Sequence, residues 1–330
     1  MKEDRMIIAL AITGPTASGK TALSLDLAEK FGCEIISCDS MQIYSGMNIG
    51  TAKAAPAERE RVRHHMIDLV PPTEKYSVSR YRDEASACAK DIAKRGKLPL
   101  FVGGTGLYID SLMRGEADSV PESDSEYREK ILSEIKTDED RDRLYSRLCE
   151  VDPQSALATH KNNLKRVIRA LEIYDKTGKP KSYFDRETRL AARDFDIRMI
   201  TLDFHNRENL YKRVDERVEQ MLDAGLVDEA RELFERGYLE PDSTANQAIG
   251  YKELVPYLEG EATLDDCKAA IKLATRRYAK RQLTWFRHEG GAERLYLDDG
   301  DGILLPYDAV RDKAYEIAKK LINEENANIC

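Results

Sequence analysis

The sequence predicts an α/β fold: a parallel sheet flanked by helices, with a helical domain inserted between two parts of it. Three observations predict this. Over the first hundred residues, short apolar runs alternate with amphipathic stretches, the pattern of strands joined by crossover helices. A glycine-rich turn, Gly14-Pro-Thr-Ala-Ser-Gly-Lys-Thr21, joins the first apolar run to the first amphipathic stretch. From about residue 115 the texture changes to acidic, serine-bearing sequence and polar helices, and strand-like sequence returns at 194–204. The expected organisation is therefore 1–114 as the first part of the core, 115–193 as the insertion and 194–330 as the remainder.

Each element has a local reason. Met6–Ile12 reads as a buried strand; it leads straight into the glycine turn, so cleaving it as a signal peptide would destroy that turn. Thr21–Ala28 reads as a helix, with Leu23, Leu27 and Phe31 recurring at helical spacing. Glu34–Cys38 is a second short strand that ends at Asp39-Ser40. Ser77 can cap a helix whose apolar positions are Val78, Tyr81, Ala85, Cys88 and Ile92, and Gly96 stops it. Leu98–Val102 is another buried strand, ending in Gly103-Gly104-Thr105. Ligands of parallel sheets gather at the carboxyl ends of strands, so the glycine turn, Asp39 and Gly103–Thr105 are expected on one rim. In the insertion, the stretch "HKNNLKRVIRALEIYDKTGKP" reads as a helix that turns Leu164, Val167, Ile168 and Leu171 inward and stops at Gly178, with Pro180 beyond. The last third reads as mostly helical, with one short strand at Leu295–Leu297 and a tail, 323–330, expected to fray.

Composition narrows the class. No run of about 18 apolar residues occurs, so no membrane-spanning helix is expected. The six cysteines show no C-x-x-C spacing and read as thiols of a reducing, cytoplasmic compartment rather than as a disulfide framework or zinc site. His64 and His65 are adjacent and so point apart, which suits a structural or substrate-side role better than a metal site. The net charge is −8, but it is unevenly spread. Residues 114–140 carry ten acids against four bases, whereas 274–287 carry five bases and no acid. A polyanion would be steered to the second stretch and away from the first.

The turn at 14–21 fits G-x-x-x-x-G-K-[ST], with a strand before it and a helix after it, which makes the sheet P-loop NTPase-like. Its amides converge on phosphate oxygens at the positive end of the helix. Lys20 adds a point charge, and the Thr21 hydroxyl is placed to ligate Mg²⁺. Three chemistries use such a loop: phosphoryl transfer, nucleotide binding alone, and release of pyrophosphate while a carbon is transferred. The strand ending in "LFVGGTG" offers no aspartate where a second Mg²⁺ ligand usually sits, while Asp39 stands where it can take a proton from a nucleophile. Its plainer role is to cap the turn that follows it. Arg213 and Arg217, four apart on a helix over 207–222, form either a solvated face or a diphosphate clamp.

Seven segments then resemble one family in order over almost the whole chain. They are "GPTASGKT" (14–21), "DSMQIYSGMNIGTAK" (39–53), "HHMIDLVPPTEKYSV" (64–78), "FVGGTGLYI" (101–109), "NLKRVIRALEIYDKTGK" (163–179), "AIGYKEL" (248–254) and "ATRRYAKRQLTWFR" (274–287). Together they resemble the bacterial type of the tRNA dimethylallyltransferase family, which prenylates the adenosine on the 3′ side of the anticodon. The cysteines and histidines of the eukaryotic members' zinc finger have no counterpart here.

The resemblance implies roles residue by residue. The diphosphate of dimethylallyl diphosphate would sit on Gly14, Pro15, Thr16, Ala17, Ser18, Gly19, Lys20 and Thr21, with Mg²⁺ at Thr21 and with Arg213 and Arg217 alongside. Thr105 would lie at the bridging oxygen, and Asp39 would accept the amine proton. The tRNA anticodon stem-loop would meet Asp39, Ser40, Met41, Gln42 and Thr105; Lys165, Arg166, Val167, Ile168 and Arg169; Gln247 and Lys252; and Arg277 and Arg281. Trp285 and Phe286 read equally as core or as stacking platforms for bases. The insertion would close over the anticodon stem, its acidic start toward solvent and its basic end toward the RNA. The family implies a cytoplasmic monomer with no membrane partner. Two alternatives stay in view: an adenylate isopentenyltransferase, which needs neither the insertion nor the basic stretch, and a P-loop kinase.

Overall fold

The computed structural model describes residues 6–114, 120–121, 124–240, 243–288 and 290–323. Part of the acidic start of the insertion (115–119 and 122–123) and nearly all of the expected fraying tail, with Cys330, lie outside them. The sheet has six strands: β1 (Ile7–Thr13), β2 (Cys33–Ser37), β3 (His64–His65), β4 (Leu98–Gly103), β5 (Phe195–Asp203) and β6 (Glu293–Tyr296). Their order is β3-β2-β4-β1-β5-β6, and every pairing is parallel. Alternation along β1 explains its unbroken apolar run. Ala9 and Ala11 join the core on one face of the sheet, and Leu10 and Ile12 the core on the other. Parallel strands need helices on both faces, and both cores are covered by them.

By its contacts the chain divides into two compact units, Met1–Met113 with Phe195–Cys330, and Arg114–Asp194. The second is all helical over its described residues, with Leu148, Ala156, Val167, Ala170 and Leu171 as its core. Its helix Leu164–Thr177 begins at Asn163, whose side chain takes the Arg166 amide, and ends at Gly178 in the left-handed conformation. Among the described residues, no helix is long and apolar enough to cross a membrane.

Sequence pattern misses β3, since two polar residues carry no strand periodicity. His64 and His65 pair with Ile35 and Ile36 at the sheet edge. His65 Nε2 lies 2.8 Å from the buried Glu34 carboxylate, which also pairs with Arg95 and Lys97. Those partners, Arg95 foremost, hold the Glu34 carboxyl well below the usual carboxylate range. The Ser77 helix runs Val78–Lys94, with Ser77 Oγ accepting from the Arg80 amide; Ala89 rather than Cys88 completes its fully buried stripe.

Where β2 and β4 end, their backbones nearly touch. The Cys38 amide donates to Val102 O at 2.7 Å, and the Thr105 amide donates to Cys38 O at 3.1 Å. Any side chain at Gly103 would overlap the Cys38 carbonyl. Gly103→Ala is therefore expected to lose about 1–3 kcal/mol or more of stability, read as a lower denaturant midpoint. An unchanged midpoint would mean that the approach is not tight.

Candidate active site

The phosphate loop is shaped by steric need. Gly14 has φ +136°, and a side chain there would meet the Leu202 carbonyl oxygen at 2.7 Å. Lys20 Nζ folds back to donate to Gly14 O (3.0 Å) and Pro15 O (2.7 Å). The Ser18 hydroxyl is buried with no partner. Gln282 ties the loop to the end of β4: its Oε1 takes the Thr16 amide at 2.8 Å, and its Nε2 donates to Gly104 O at 2.9 Å. Sequence reasoning passed over Gln282, although it lies inside the quoted stretch 274–287. It sits on the helix Leu264–His288, whose face carrying Ile271, Thr275, Tyr278 and Gln282 turns toward one cavity.

That cavity holds about 510 Å³. The loop lines it with Thr16, Ala17, Gly19, Lys20 and Thr21, and Asp39, Gly103, Gly104 and Arg217 line it too. Three ionisable side chains thus share one cavity whose walls partly desolvate them. Desolvation lowers the Lys20 pKa to about 7, the nearby Arg217 charge pushes the same way, and Asp39 opposes both. Burial also lowers the pKa of Arg217, whose Nε has no hydrogen-bond partner, with Asp39 opposing. Burial raises the pKa of Asp39; the Met41 amide, Lys20 and Arg217 pull it back. Two under-neutralised cations and a carboxylate of raised basicity are what a departing anion and a proton transfer require.

Asp39 caps the turn that follows it and also lines the cavity. Its Oδ1 accepts from the Met41 amide at 2.9 Å, capping the turn, while its side chain stays on the cavity wall. Thr105 follows the lining pair Gly103-Gly104, and its hydroxyl oxygen takes the Ser40 amide at 3.1 Å. Tyr278 is a further group that the pattern did not single out. It lines the cavity, and burial followed by the Asp39 charge raises its pKa to about 12.

The expected residues meet different surroundings. Arg213 lies against the loop itself, its Nε donating to Ala17 O at 2.9 Å and its Nη2 beside Gly19, while Arg217, one turn on, lines the cavity. Gly14 and Pro15 contribute carbonyls that hold Lys20 rather than lining atoms. Val167 and Ile168 are buried in the insertion, as helical periodicity demands, and cannot present side chains to RNA. Arg169 donates from Nη2 to Pro121 O and pairs with Glu172 inside the insertion. Lys165 and Arg166 are exposed and line a basic cleft of about 590 Å³ with Arg186 and Arg189. Gln42 lines the cavity, but its amide is occupied by Ser37 Oγ, Thr51 O and Ala52 O.

Gln247, Lys252 and Arg281 are exposed residues that line the cavity, whereas Arg277 is exposed away from it. The basic stretch 274–287 is also less basic than its composition suggests, because Arg276 pairs with Asp215 and Arg287 with Asp203. Phe286 is core, and Trp285 packs edge-on against it at 4.8 Å between ring centroids.

A divalent ion fits the site in one way. Thr21 lines the cavity, and among the described residues no group of three His, Cys, Asp or Glu side chains is arranged to hold a metal. An ion at Thr21 would therefore take its other ligands from phosphate oxygens and water, the coordination that Mg²⁺ favours.

Fold and site together define a P-loop α/β protein in which a carboxylate shares the loop's cavity. Comparison with known proteins narrows this further. The chain belongs to the IPP transferase family, whose model matches residues 42–289, and a model described as isopentenyl transferase matches residues 7–70. It is 44% identical over 312 residues to the tRNA dimethylallyltransferase of Caldanaerobacter subterraneus subsp. tengcongensis, covering 94% of this chain and 97% of that one. The crystal structure of the tRNA isopentenylpyrophosphate transferase of Bacillus halodurans is similar, with 38% identity, TM-score 0.70, and 98% and 99% of the two chains covered. A eukaryotic dimethylallyltransferase crystallised acting on tRNA is 33% identical with TM-score 0.80, covering 96% of this chain and 80% of that one.

The lowered Lys20 pKa has a measurable consequence. An anion in the cradle raises that pKa, so binding takes up a proton where Lys20 was neutral. Relative to Lys20→Arg, which stays charged, pyrophosphate binding should take up nearly one extra proton at about pH 8 and almost none at about pH 6. Calorimetry in buffers of different ionisation enthalpy reads this number; equal uptake by both proteins would contradict the assignment.

Proposed function

We propose that this protein transfers the dimethylallyl group of dimethylallyl diphosphate to the exocyclic amine of the adenosine on the 3′ side of a tRNA anticodon, releasing pyrophosphate. The chain is a prenyltransferase and tRNA is its substrate. The observation that carries the full reading is the single cavity shared by Lys20, Arg217 and Asp39.

The donor's diphosphate would lie against the amides of Ala17–Thr21, with Lys20 and Arg217 beside it. Mg²⁺ held at Thr21 would neutralise part of the diphosphate charge. The adenine amine attacks the primary allylic carbon; the new C–N bond forms, the C–O bond breaks, and its electron pair leaves on the diphosphate. Donors already aimed at that developing charge need no rearrangement when the bond breaks. An adenine amine is a weak nucleophile because its lone pair is delocalised, so its proton passes to Asp39, whose basicity burial has raised.

A stacked adenine cannot enter such a cavity, so the base must be turned out of the anticodon loop at a cost of a few kcal/mol. Lys165 and Arg166 in the insertion, and Lys252 and Arg281 at the cavity, would contact the RNA, making its binding strongly salt-dependent. The enzyme would act as a cytoplasmic monomer.

The test is to incubate the protein with Mg²⁺, dimethylallyl diphosphate and unmodified tRNA, digest the RNA and weigh the nucleosides. An adenosine heavier by one dimethylallyl group is expected. Asp39→Ala should cut turnover by about 10²–10⁴-fold while retaining pyrophosphate binding. A wild-type rate in that variant would remove Asp39 as the base, and unmodified adenosine in every tRNA would remove the reaction.

A further inference from the structure

Part of the cavity wall is built from two segments far apart in sequence, 39–52 and 247–252. Neither belongs to a strand or to a long helix, so something must fix them to each other. Glu229, on the helix Leu226–Glu235, stands between them. Its carboxylate accepts three consecutive amides: Asn48 at 2.9 Å, Ile49 at 2.9 and 3.0 Å, and Gly50 at 3.1 Å. It also accepts the Tyr251 hydroxyl at 2.6 Å. Consecutive N–H groups that converge in this way form a ready anion site, and here the protein fills it with its own side chain. Tyr251 is fully buried, and burial together with Glu229 raises its pKa, so its hydroxyl remains a donor.

The contact has no slack. A side chain at Gly50 would overlap the Tyr251 ring. On the other side of the loop, Lys53 donates to Asp68 (2.5 Å), Asn48 Oδ1 (3.2 Å) and Tyr44 O. The restraint continues toward the reacting groups. Thr51 O and Ala52 O hold Gln42 Nε2, Ser37 Oγ donates to Gln42 Oε1, and the adjoining Met41 amide donates to Asp39 Oδ1.

We propose that Glu229 is a positioning residue for the acceptor side of the reaction: by gripping amides 48–50 and Tyr251 it sets where the tRNA base meets Asp39, while the phosphate loop is held independently. The inference rests on the tRNA prenyl-transfer reading above. The loop's separate anchors are Gln282 and Arg213, neither of which touches this knot.

Glu229→Gln keeps the shape but turns an NH₂ group toward backbone N–H groups, and Tyr251→Phe removes one bond only. Steady-state kinetics of both variants should show KM for tRNA raised about tenfold by Glu229→Gln and less by Tyr251→Phe. KM for dimethylallyl diphosphate and the pyrophosphate Kd should stay within about twofold. Amide hydrogen exchange should quicken at 48–50 and not at 14–21. Equal shifts in both substrates' KM, exchange rising at both segments together, or no change at all would overturn the proposal. A wild-type protein that prenylates no tRNA would instead sink the function, and the exchange comparison would still decide whether Glu229 fixes this wall separately.

Discussion

Lys20, Arg217 and Asp39 line one cavity, and its walls strip part of the solvent from all three charges. A lone cation in such a place is costly, and two are more so. Lys20 meets the cost by losing proton affinity and by leaning on two loop carbonyls; Arg217 leaves its Nε unbonded. In the proposed reaction an arriving diphosphate would relieve that balance, so the energy withheld from the empty protein would become binding energy for the anion. The carboxylate is the necessary counterweight: close enough to soften the cations, and itself made more basic by burial.

The topology exists to bring these groups together. With β1 between β4 and β5, and β4 between β1 and β2, the carboxyl ends of three strands deliver the phosphate loop, the Asp39 turn and Gly103–Thr105 to the same rim. Fine adjustment then comes from side chains of other elements. Gln282 bridges the loop to β4, Arg213 braces the loop, and Thr105 takes the Ser40 amide. Each bond joins segments between 65 and 266 residues apart in sequence, so local distortion at one strand end reaches the others.

Much of this was legible in the sequence, for identifiable reasons. The long parallel strands show because burial on both faces demands unbroken apolar runs, and the helices show because each has one apolar stripe with a glycine or capping residue at its ends. The phosphate loop shows because few residues can make that turn. What sequence could not show is which of two neighbouring polar groups is already spoken for. Arg213 and Arg217 are equivalent in a helical pattern, yet one bonds a carbonyl and the other enters the cavity. Arg276 and Arg287 count toward the basic stretch 274–287 in composition, but Asp215 and Asp203 from elsewhere in the chain pair with them. Val167 and Ile168 were marked by the motif that contains them, although their own periodicity buries them. Gln282 and Glu229 carry no local signal, because their partners are assembled only by the fold.

The most direct test of this account is a crystal structure of the protein with pyrophosphate and an anticodon stem-loop bearing the unmodified adenosine. It should show the pyrophosphate between the loop amides and Arg217, Lys20 Nζ drawn off the Gly14 and Pro15 carbonyls, and the extruded adenine amine within hydrogen-bond distance of the Asp39 carboxylate. Pyrophosphate seated elsewhere, or an adenine that binds without approaching Asp39, would contradict the claim that one cavity serves both the leaving group and the proton.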